Sequence, residues 1–416
     1  MSSLQKSVLK SSLGNYTLPP RNPAGGFGRN RQPPDFNPVH WSVYFEKKDI
    51  VQANGNKFCV YSVLPETLQG MPVVTLLHGG GFSGLSWAVM GKILSTYINA
   101  QVIAIDLRGH GETATSNDDD LSAETMANDI LDIFTELKLQ NNPIIIVGHS
   151  LGGALAVHST EKVLEGQEFN VVAITVIDVV EGSAMESLST MHAVLKQRPK
   201  SFPTLTRAIE WSMKSGVIKN RDSAKVSMPG QLKVILTDEP ATTHVSPPSS
   251  DSGIVAQGET GAQPIDNCSE AVSEKSSPAV HPDAILEEQE EDELPKDIDQ
   301  SFPPPLPPAP SKDNYTWRID LHKTEPFWQG WFKGMSSKFL SLQCPKLLML
   351  AGVDRLDRDL TVGQMQGKFQ MNVISNVGHA VHEDSPEEVV EYVSAFLVRH
   401  KLVESKKDFH PVMPGC

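Results

Sequence analysis

The sequence predicts an α/β fold in which a mostly parallel central sheet is covered by helices on both faces. The first observation is a set of nearly continuous apolar segments, separated by segments of helical spacing, at 71–81, 100–113, 143–150 and 171–182. Strands that are buried on both faces of a parallel sheet have such apolar runs. The second observation is the pentapeptide Gly-His-Ser-Leu-Gly at 148–152, which joins a predicted strand to a predicted helix. A serine is therefore expected at one edge of the sheet.

The first part of the chain divides into an arm and the start of the folded domain. Residues 1–35 form a basic arm that we expect to be flexible, and aromatic and β-branched residues begin near residue 36. After two predicted strands, the segment 121–139 has helical spacing of its apolar residues. The expected N-cap of this helix is Ser122, and the residues expected on its outer face are Thr125 and Asp129.

The middle of the chain contains a helical region and then an acidic insert. Residues 183–236 have amphipathic helical patterns and are predicted to form a cap. Residues 238–312 carry 16 Asp and Glu against 3 Lys, and 13 prolines, so this insert is predicted to be disordered. It accounts for −13 of the formal charge of −14, which leaves about −1 for the rest. The net charge therefore says little about what the folded part binds, and we expect neither a nucleic-acid nor a membrane partner.

The elements after the insert continue the same domain, which we place at 36–416. A strand is predicted at 345–354, and a last strand lies within 368–384. The final helix is predicted to begin at Pro386, with Ser385 as its cap. The insert thus interrupts one domain.

The composition and the N-terminal sequence indicate where in the cell the protein is expected and whether it has a metal site. The four cysteines show no spacing typical of a metal site or a disulfide framework, so no metal is expected. The N-terminus has no apolar signal-peptide core, and no run approaches the ~18 apolar residues of a membrane span. We therefore expect a soluble monomer in the cytoplasm or the nucleus, or both. A mitochondrial address is the alternative, because residues 1–34 lack acids; their Pro and Gly content argues against it.

The serine in the pentapeptide has the context of a nucleophile elbow. In a Gly-Xaa-Ser-Xaa-Gly turn between strand and helix, a sharp bend presents the serine hydroxyl at the carboxyl edge of the sheet. Ser150 could instead simply cap the following helix, but this context favours a nucleophile. The partners then required are an acid followed by a histidine in chain order.

The histidine is predicted to be His379, which follows the last predicted strand. His382 is a rival three residues later, in the turn that leads to the final helix. His149 and His158 flank the elbow and are expected to pack or to cap.

Two aspartates compete for the role of the acid. Asp354 follows the strand before the last one, 25 residues before His379, which is the usual position in an α/β-hydrolase. Asp178 ends the strand directly after the elbow helix, which is a variant position. The pattern alone slightly favours Asp354, and either carboxylate would orient the imidazole.

An oxyanion hole is predicted where the first buried strand ends in His-Gly-Gly-Gly at 78–81. The expected donors are the backbone N–H groups near Gly80 and of Leu151. With the serine and the histidine, this loop selects an α/β-hydrolase fold with serine acyl chemistry. The alternative is a flexible glycine loop without function, and the positions of Ser150 and His379 argue against it.

Several longer stretches resemble one family, the protein phosphatase methylesterases. Among these stretches are LLHGGGFSGLSWAVM, DLRGHGET, GHSLGGALAVH, IDVVEGSAMESL, AIEWSMKSG, YTWRIDLHKTE, LLMLAGVDRLDRDLTVGQMQGKFQM and GHAVHED. The resemblance covers about 36–236 and 313–416. The sequence departs from the family at Leu151, where Met is usual; since only the backbone N–H is needed, the expected role is unchanged.

The resemblance implies a substrate, partner and triad. Members of this family remove the methyl ester from the C-terminal leucine of the protein phosphatase 2A catalytic subunit. They bind that phosphatase and need no cofactor for ester hydrolysis. Carried over, the triad is Ser150, Asp178 and His379, which reverses the pattern's preference for Asp354. It also suggests that 183–236 shape a groove for the substrate peptide. The alternatives are a small-molecule or lipid carboxylesterase and a non-catalytic scaffold that binds the phosphatase.

Overall fold

The computed structural model describes residues 34–65, 70–248, 314–352 and 356–406. The strands in this part of the chain are β1 (Lys47–Ala53), β2 (Asn56–Val63), β3 (Val73–Leu77), β4 (Ile98–Asn99), β5 (Gln101–Ile105), β6 (Pro143–His149), β7 (Asn170–Ile177), β8 (Ser201–Phe202), β9 (Leu232–Val234), β10 (Tyr315–Trp317), β11 (Lys346–Leu350), β12 (Gln370–Val373) and β13 (Glu404–Ser405). The α-helices are α1 (Ala88–Tyr97), α2 (Ala123–Glu136), α3 (Leu151–Gly166), α4 (Glu181–Lys196), α5 (Leu205–Lys214), α6 (Arg221–Gly230), α7 (Glu325–Phe332), α8 (Met335–Ser341), α9 (Arg358–Met365), α10 (Val381–Asp384) and α11 (Pro386–Arg399).

The central sheet has eight strands in the order β1-β2-β5-β3-β6-β7-β11-β12. β1 and β2 are antiparallel to their neighbours, whereas the strands from β5 to β12 run parallel. In a parallel sheet all the strands end at the same edge, so the turns after β3, β6 and β7 meet there. The predicted α/β fold with a mostly parallel sheet is confirmed.

Both faces of the sheet are covered, and the side chains of β6 show how. Ile144 and Ile146 belong to one buried cluster, together with apolar residues of α2, α3, α7 and α8. Ile145 and Val147 belong to a second cluster, together with residues of α1 and α11. Successive side chains of a strand point to opposite faces, so an apolar run without alternation places side chains in both clusters.

Helix α2 begins at the predicted cap, but one of its residues does not lie where the sequence placed it. The Ser122 side chain accepts a hydrogen bond from the backbone N–H of Thr125. Asp129 was predicted to point outward, and this is wrong: it is buried and accepts two hydrogen bonds from Arg108, at 2.7 Å from Nε and 2.6 Å from Nη2. A paired guanidinium allows a carboxylate to occupy the inner face of the helix.

The segment predicted as a cap contains α4, α5 and α6 and two short strands. These strands form a three-stranded sheet in the order β8-β10-β9, so β10, from beyond the insert, lies between two strands that precede it. A third buried cluster, which includes Phe202, Ile209 and Met228, packs these elements together.

The first residues of the segment predicted as a disordered insert are part of the folded structure. Residues 238–248 form a packed turn that includes a 3-10 helix at Ala241–His244, and Ala241 and Val245 lie in the third cluster. Burial of these two apolar side chains holds the segment despite its polar composition. The remaining residues of the predicted disordered insert, 249–312, lie outside the described residues, as does most of the predicted arm.

The last helix begins at Pro386, as expected, but Ser385 does not cap it with its side chain. The Ser385 hydroxyl instead lies 3.4 Å from the Glu388 carboxylate, to which it donates. Among the described helices, none has both the length and the apolar character that a membrane crossing requires.

Candidate active site

Ser150 lies in the sharp turn between β6 and α3. Its backbone is at φ 52° and ψ −119°, outside the regions that non-glycine residues usually adopt, and its N–H donates to the carbonyl of Ile177 at 2.9 Å. The two flanking glycines make the turn possible. A Cβ at Gly148 would overlap the carbonyl oxygen of Gly152, and a Cβ at Gly152 would overlap that of Leu77.

His379 and Asp178 form a close pair. The His379 Nδ1 atom lies 2.8 Å from Oδ2 of Asp178, and the other carboxylate oxygen accepts from the N–H of Ala351 at 3.0 Å. Asp178 is 4% exposed, whereas about half of the His379 side chain is accessible. A buried carboxylate on Nδ1 leaves the other imidazole nitrogen available to a reacting group. Asp354, the alternative acid, lies outside the described residues.

The segment that carries His379 is held by three further hydrogen bonds. The backbone carbonyl of His379 accepts a hydrogen bond from His149 Nε2 at 2.7 Å. The Asp384 carboxylate accepts from the N–H of Gly378 at 2.6 Å and from the N–H of Lys219, in the loop between α5 and α6, at 2.7 Å. These contacts connect the histidine segment both to the elbow and to the cap.

The other histidines near the elbow occupy different positions. His382 is fully buried and stacks on Trp87, with ring centroids 3.9 Å apart, and burial lowers its pKa well below the usual value. It does not line the cavity that contains Ser150. His158 lies on α3, with its Nε2 atom 3.0 Å from the carbonyl of Trp331. Both rings therefore act in packing.

Two buried histidines fix the glycine loop after β3. His78 Nδ1 lies 2.8 Å from the carbonyl of Gly79, and His78 Nε2 accepts the N–H of Leu107 at 3.0 Å. His110 Nδ1 lies 2.8 Å from the carbonyl of Arg108, and His110 Nε2 accepts the N–H of Gly81 at 2.9 Å. Each ring thus donates from one nitrogen and accepts at the other, which requires the neutral form. Burial lowers the pKa of both rings, that of His110 to about 4.

The two residues predicted to supply the oxyanion donors, Gly80 and Leu151, are neighbours in space. A Cβ on Gly80 would be 3.8 Å from the side chain of Leu151. Within the described part of the chain, neither the N–H of Gly80 nor that of Leu151 donates a hydrogen bond. Leu151 is the first residue of α3, so its N–H belongs to the positive end of the helix. Neither N–H group is therefore committed to a partner among the described residues.

Ser150, His379, Gly80 and Leu151 line one cavity of about 490 Å3. The rest of its wall is mostly apolar and comes from the cap and from the region around α7; it includes Leu188, Met191, Trp211, Val217, Trp328 and Phe332. A volume of this size suits a small ligand or the end of a peptide chain. The arrangement therefore places a candidate nucleophile and a candidate base in an apolar cavity.

Sequence reasoning missed the supporting roles of His110 and Asp384. Each acts through a backbone group of a loop that is distant along the chain, and no local pattern marks such a contact. The only signal was that both residues lie in stretches that carry the family resemblance, around residues 106–113 and 378–384.

Comparison with known proteins identifies relatives over the whole chain. A family model described as the alpha/beta hydrolase family matches residues 76–250. Proteins named protein phosphatase methylesterase 1 from Mus musculus and Homo sapiens are each 42% identical to this chain over 423 residues, covering 99% of it and 100% of the relative. A Caenorhabditis elegans protein named probable protein phosphatase methylesterase 1 is 37% identical, covering 97% of this chain and 88% of its own.

Solved structures share the fold at low identity. E-2-(acetamidomethylene)succinate hydrolase matches with a TM-score of 0.55 and 14% identity, covering 85% of this chain and 99% of the other. An esterase from Mycobacterium tuberculosis matches with a TM-score of 0.51 and 16% identity, covering 85% and 92%. At these identities the likeness concerns the fold alone.

Proposed function

This chain belongs to the protein phosphatase methylesterase family, and we propose that it is a serine carboxylesterase that removes the methyl ester from the C-terminal leucine of the protein phosphatase 2A catalytic subunit. The observation that carries the chemistry is the pairing of His379 with buried Asp178 at 2.8 Å. His379 lines the same cavity as Ser150. The names of the relatives support the substrate class, and we propose that the enzyme also binds and regulates this phosphatase.

In the proposed reaction, the Ser150 hydroxyl attacks the ester carbonyl while His379 takes its proton. The tetrahedral intermediate collapses, His379 gives the proton to the methoxy group, and methanol leaves. A water molecule, deprotonated by His379, then attacks the acyl-enzyme and releases the free leucine carboxylate and Ser150. Asp178 holds the imidazole and stabilises its protonated form. No cofactor enters this sequence of steps.

A negative charge develops on the carbonyl oxygen in the tetrahedral intermediate. We assign its stabilisation to hydrogen bonds from the backbone N–H groups of Gly80 and Leu151. Each such donor lowers the barrier by about 3 kcal/mol in a comparable site. His110 supports this arrangement, because it accepts the N–H of the neighbouring Gly81 and so holds the loop in place.

The apolar wall is suited to the leucine side chain of the acyl group. Met191, Trp211 and Val217, which come from the predicted cap, line this wall together with Trp328. Burial of a leucine side chain contributes about 2 kcal/mol, so these residues would favour a C-terminal leucine over a polar residue. This supports the hypothesis that the cap shapes the groove for the substrate peptide.

The proposal is tested by comparing two substrates of the full-length protein. One is the carboxymethylated phosphatase catalytic subunit, assayed by release of methanol, and the other is p-nitrophenyl acetate. Faster turnover of the protein methyl ester supports the proposed substrate. Hydrolysis of p-nitrophenyl acetate with no methanol release would favour the small-molecule carboxylesterase instead. Inactivity on both, with binding to the phosphatase retained, would favour a scaffold.

A further inference from the structure

A second cavity, which we call the cationic cleft, adjoins the cavity that contains Ser150. Its volume is about 640 Å3, and it is lined by the end of α4, by β10 and by the segment 318–324. Leu195, Arg198, Leu321 and Thr324 line both cavities, so the two share a wall. A ligand that fills the first cavity can therefore continue into the second.

The cationic cleft carries an excess of positive charge. Its six cations face three carboxylates, which are those of Asp118, Asp119 and Asp320. Two of the cations already have partners, since Arg318 lies 3.2 Å from Asp118 and Lys233 lies 2.5 Å from Asp238. Among the described residues, the others have no carboxylate partner: these are Lys196, Arg198, Lys200 and Lys323.

Arg198 is the cation at the junction of the two cavities, and the fold holds it in a fixed position. Its guanidinium lies over the ring of Trp317, 3.6 Å from the centroid. Trp317 is fixed in turn, because its Nε1–H donates to the carbonyl of Pro199 at 2.7 Å and its ring contacts Trp211 edge to face. An arginine on an aromatic face keeps its N–H groups directed sideways, towards a ligand.

The charge of Arg198 has no anion to balance it in the described structure. The guanidinium makes no hydrogen bond to another described side chain. Burial lowers its pKa to about 10, with no carboxylate near enough to offset this effect, so the group remains charged at neutral pH. A partly buried cation is stabilised when an anion binds it.

The direction of the substrate chain determines which of its residues can reach Arg198. A C-terminal methyl ester at Ser150 is the end of its chain, so only the residues before it can extend out of the catalytic cavity. We propose that the cationic cleft, with Arg198 at its entrance, binds a carboxylate-bearing segment of the protein substrate that precedes the methyl ester. This inference rests on the proposed function and adds a determinant of specificity to it.

The test uses two peptides that end in leucine methyl ester and differ only upstream, where one carries Glu residues and the other Gln. For wild type we expect kcat/KM to be about tenfold higher for the Glu peptide, since a charge-assisted hydrogen bond contributes on the order of 1.4 kcal/mol. In Arg198→Gln we expect this preference to disappear, so that the ratio of kcat/KM between the Glu peptide and the Gln peptide falls to about one. Arg198→Lys keeps the positive charge and should retain part of the preference for the Glu peptide.

Arg399→Gln provides the matched control, because Arg399 lies at the end of α11 and lines neither cavity. It should keep the preference in full. High salt should weaken the preference of wild type for the Glu peptide, because the Debye length shortens from about 10 Å at 0.1 M to about 3 Å at 1 M. That measurement does not depend on how well the Arg198 variants fold.

Three results would overturn the inference. One is equal turnover of the two peptides by wild type at low salt, and another is an equal loss on both peptides in Arg198→Gln. The third is a preference that salt does not change. If wild type hydrolyses p-nitrophenyl acetate but releases methanol neither from the peptides nor from the carboxymethylated catalytic subunit, the proposed function itself is wrong, and this inference fails with it.

Discussion

His379 Nδ1 lies 2.8 Å from Oδ2 of Asp178, although 201 residues separate them in the chain. Asp178 follows β7 directly, and its N–H donates to the carbonyl of Met349 on the neighbouring β11 at 2.8 Å. Its backbone is at φ 50°, a conformation that non-glycine residues rarely adopt. The sheet thus holds this carboxylate in a fixed, buried position under the imidazole.

The Asp178→Asn substitution tests the role of this carboxylate. An amide can still accept from Ala351 but no longer stabilises a protonated imidazole, so we expect kcat to fall by about 10^4-fold. The measurement is kcat for methyl ester hydrolysis, with a thermal melt to show that the variant is folded. Asp132→Asn, on α2, is the control and should retain activity. A loss below about tenfold would contradict the assigned role.

Asp384 is expected to act as a positioning residue for His379. Asp384→Asn replaces one accepting oxygen by an NH2 group that faces a backbone N–H, either that of Gly378 or that of Lys219. The hydrogen bond that is lost is to a charged group and is only partly buried or exposed, and its loss costs about 1.5 kcal/mol. We therefore expect kcat to fall by about tenfold or more with KM nearly unchanged. Glu387→Gln, in the exposed first turn of α11, should change neither value; an effect on KM alone for Asp384→Asn would contradict the prediction.

His110 gives the fold a predictable dependence on pH. Its pKa is lowered to about 4 in the folded state, chiefly because it is buried, against 6.5 for an ordinary histidine. Between these values the unfolded chain binds a proton that the folded chain does not, so the free energy of unfolding falls as pH is lowered from about 6.5 to about 4. For this one residue the expected loss is about 3 kcal/mol.

The measurement for His110 is urea unfolding of wild type and His110→Gln at several pH values. The variant is expected to be less stable at neutral pH, because the hydrogen bond to Gly81 changes, but to lose less stability on acidification. The difference between the two curves should narrow by about 3 kcal/mol from pH 6.5 to pH 4. Parallel curves would show that His110 is not held in its neutral form.

Met191 tests whether the cap shapes the peptide site. Met191→Ala removes apolar contact area from the wall of the catalytic cavity. We expect kcat/KM for a peptide leucine methyl ester to fall by about tenfold, which corresponds to about 1.4 kcal/mol of lost contact. Hydrolysis of p-nitrophenyl acetate, which does not fill the cavity, should be nearly unchanged. Leu164→Ala, on the exposed side of α3, serves as the control; equal losses on both esters would argue against a peptide groove.

The sheet and the elbow could be predicted because their signals are local. Continuous apolar runs such as 143–147 predict strands buried on both sides, and the glycines on each side of Ser150 are required by the closeness of Leu77 and of α3. The choice between Asp178 and Asp354 was harder. Both were predicted at the ends of strands, and the sequence carries no distance between a carboxylate and His379.

Other features depend on partners that are distant along the chain. The burial of Asp129 requires Arg108, which precedes it by 21 residues, so the helical pattern alone placed it on the wrong face. The packed turn at 238–248 is held by two apolar residues in a polar sequence, Ala241 and Val245. The junction at Arg198 arises only when β10 pairs between β8 and β9.

We propose that Ser150 hydrolyses a C-terminal leucine methyl ester on the phosphatase catalytic subunit. The most direct measurement is release of labelled methanol from the methylated subunit by wild type, Ser150→Ala and Ser341→Ala, the last being an exposed serine on α8. We predict rapid release by wild type and Ser341→Ala, and a rate in Ser150→Ala that is lower by at least about 10^4-fold. Methanol release by Ser150→Ala at the wild-type rate would show that Ser150 is not the nucleophile.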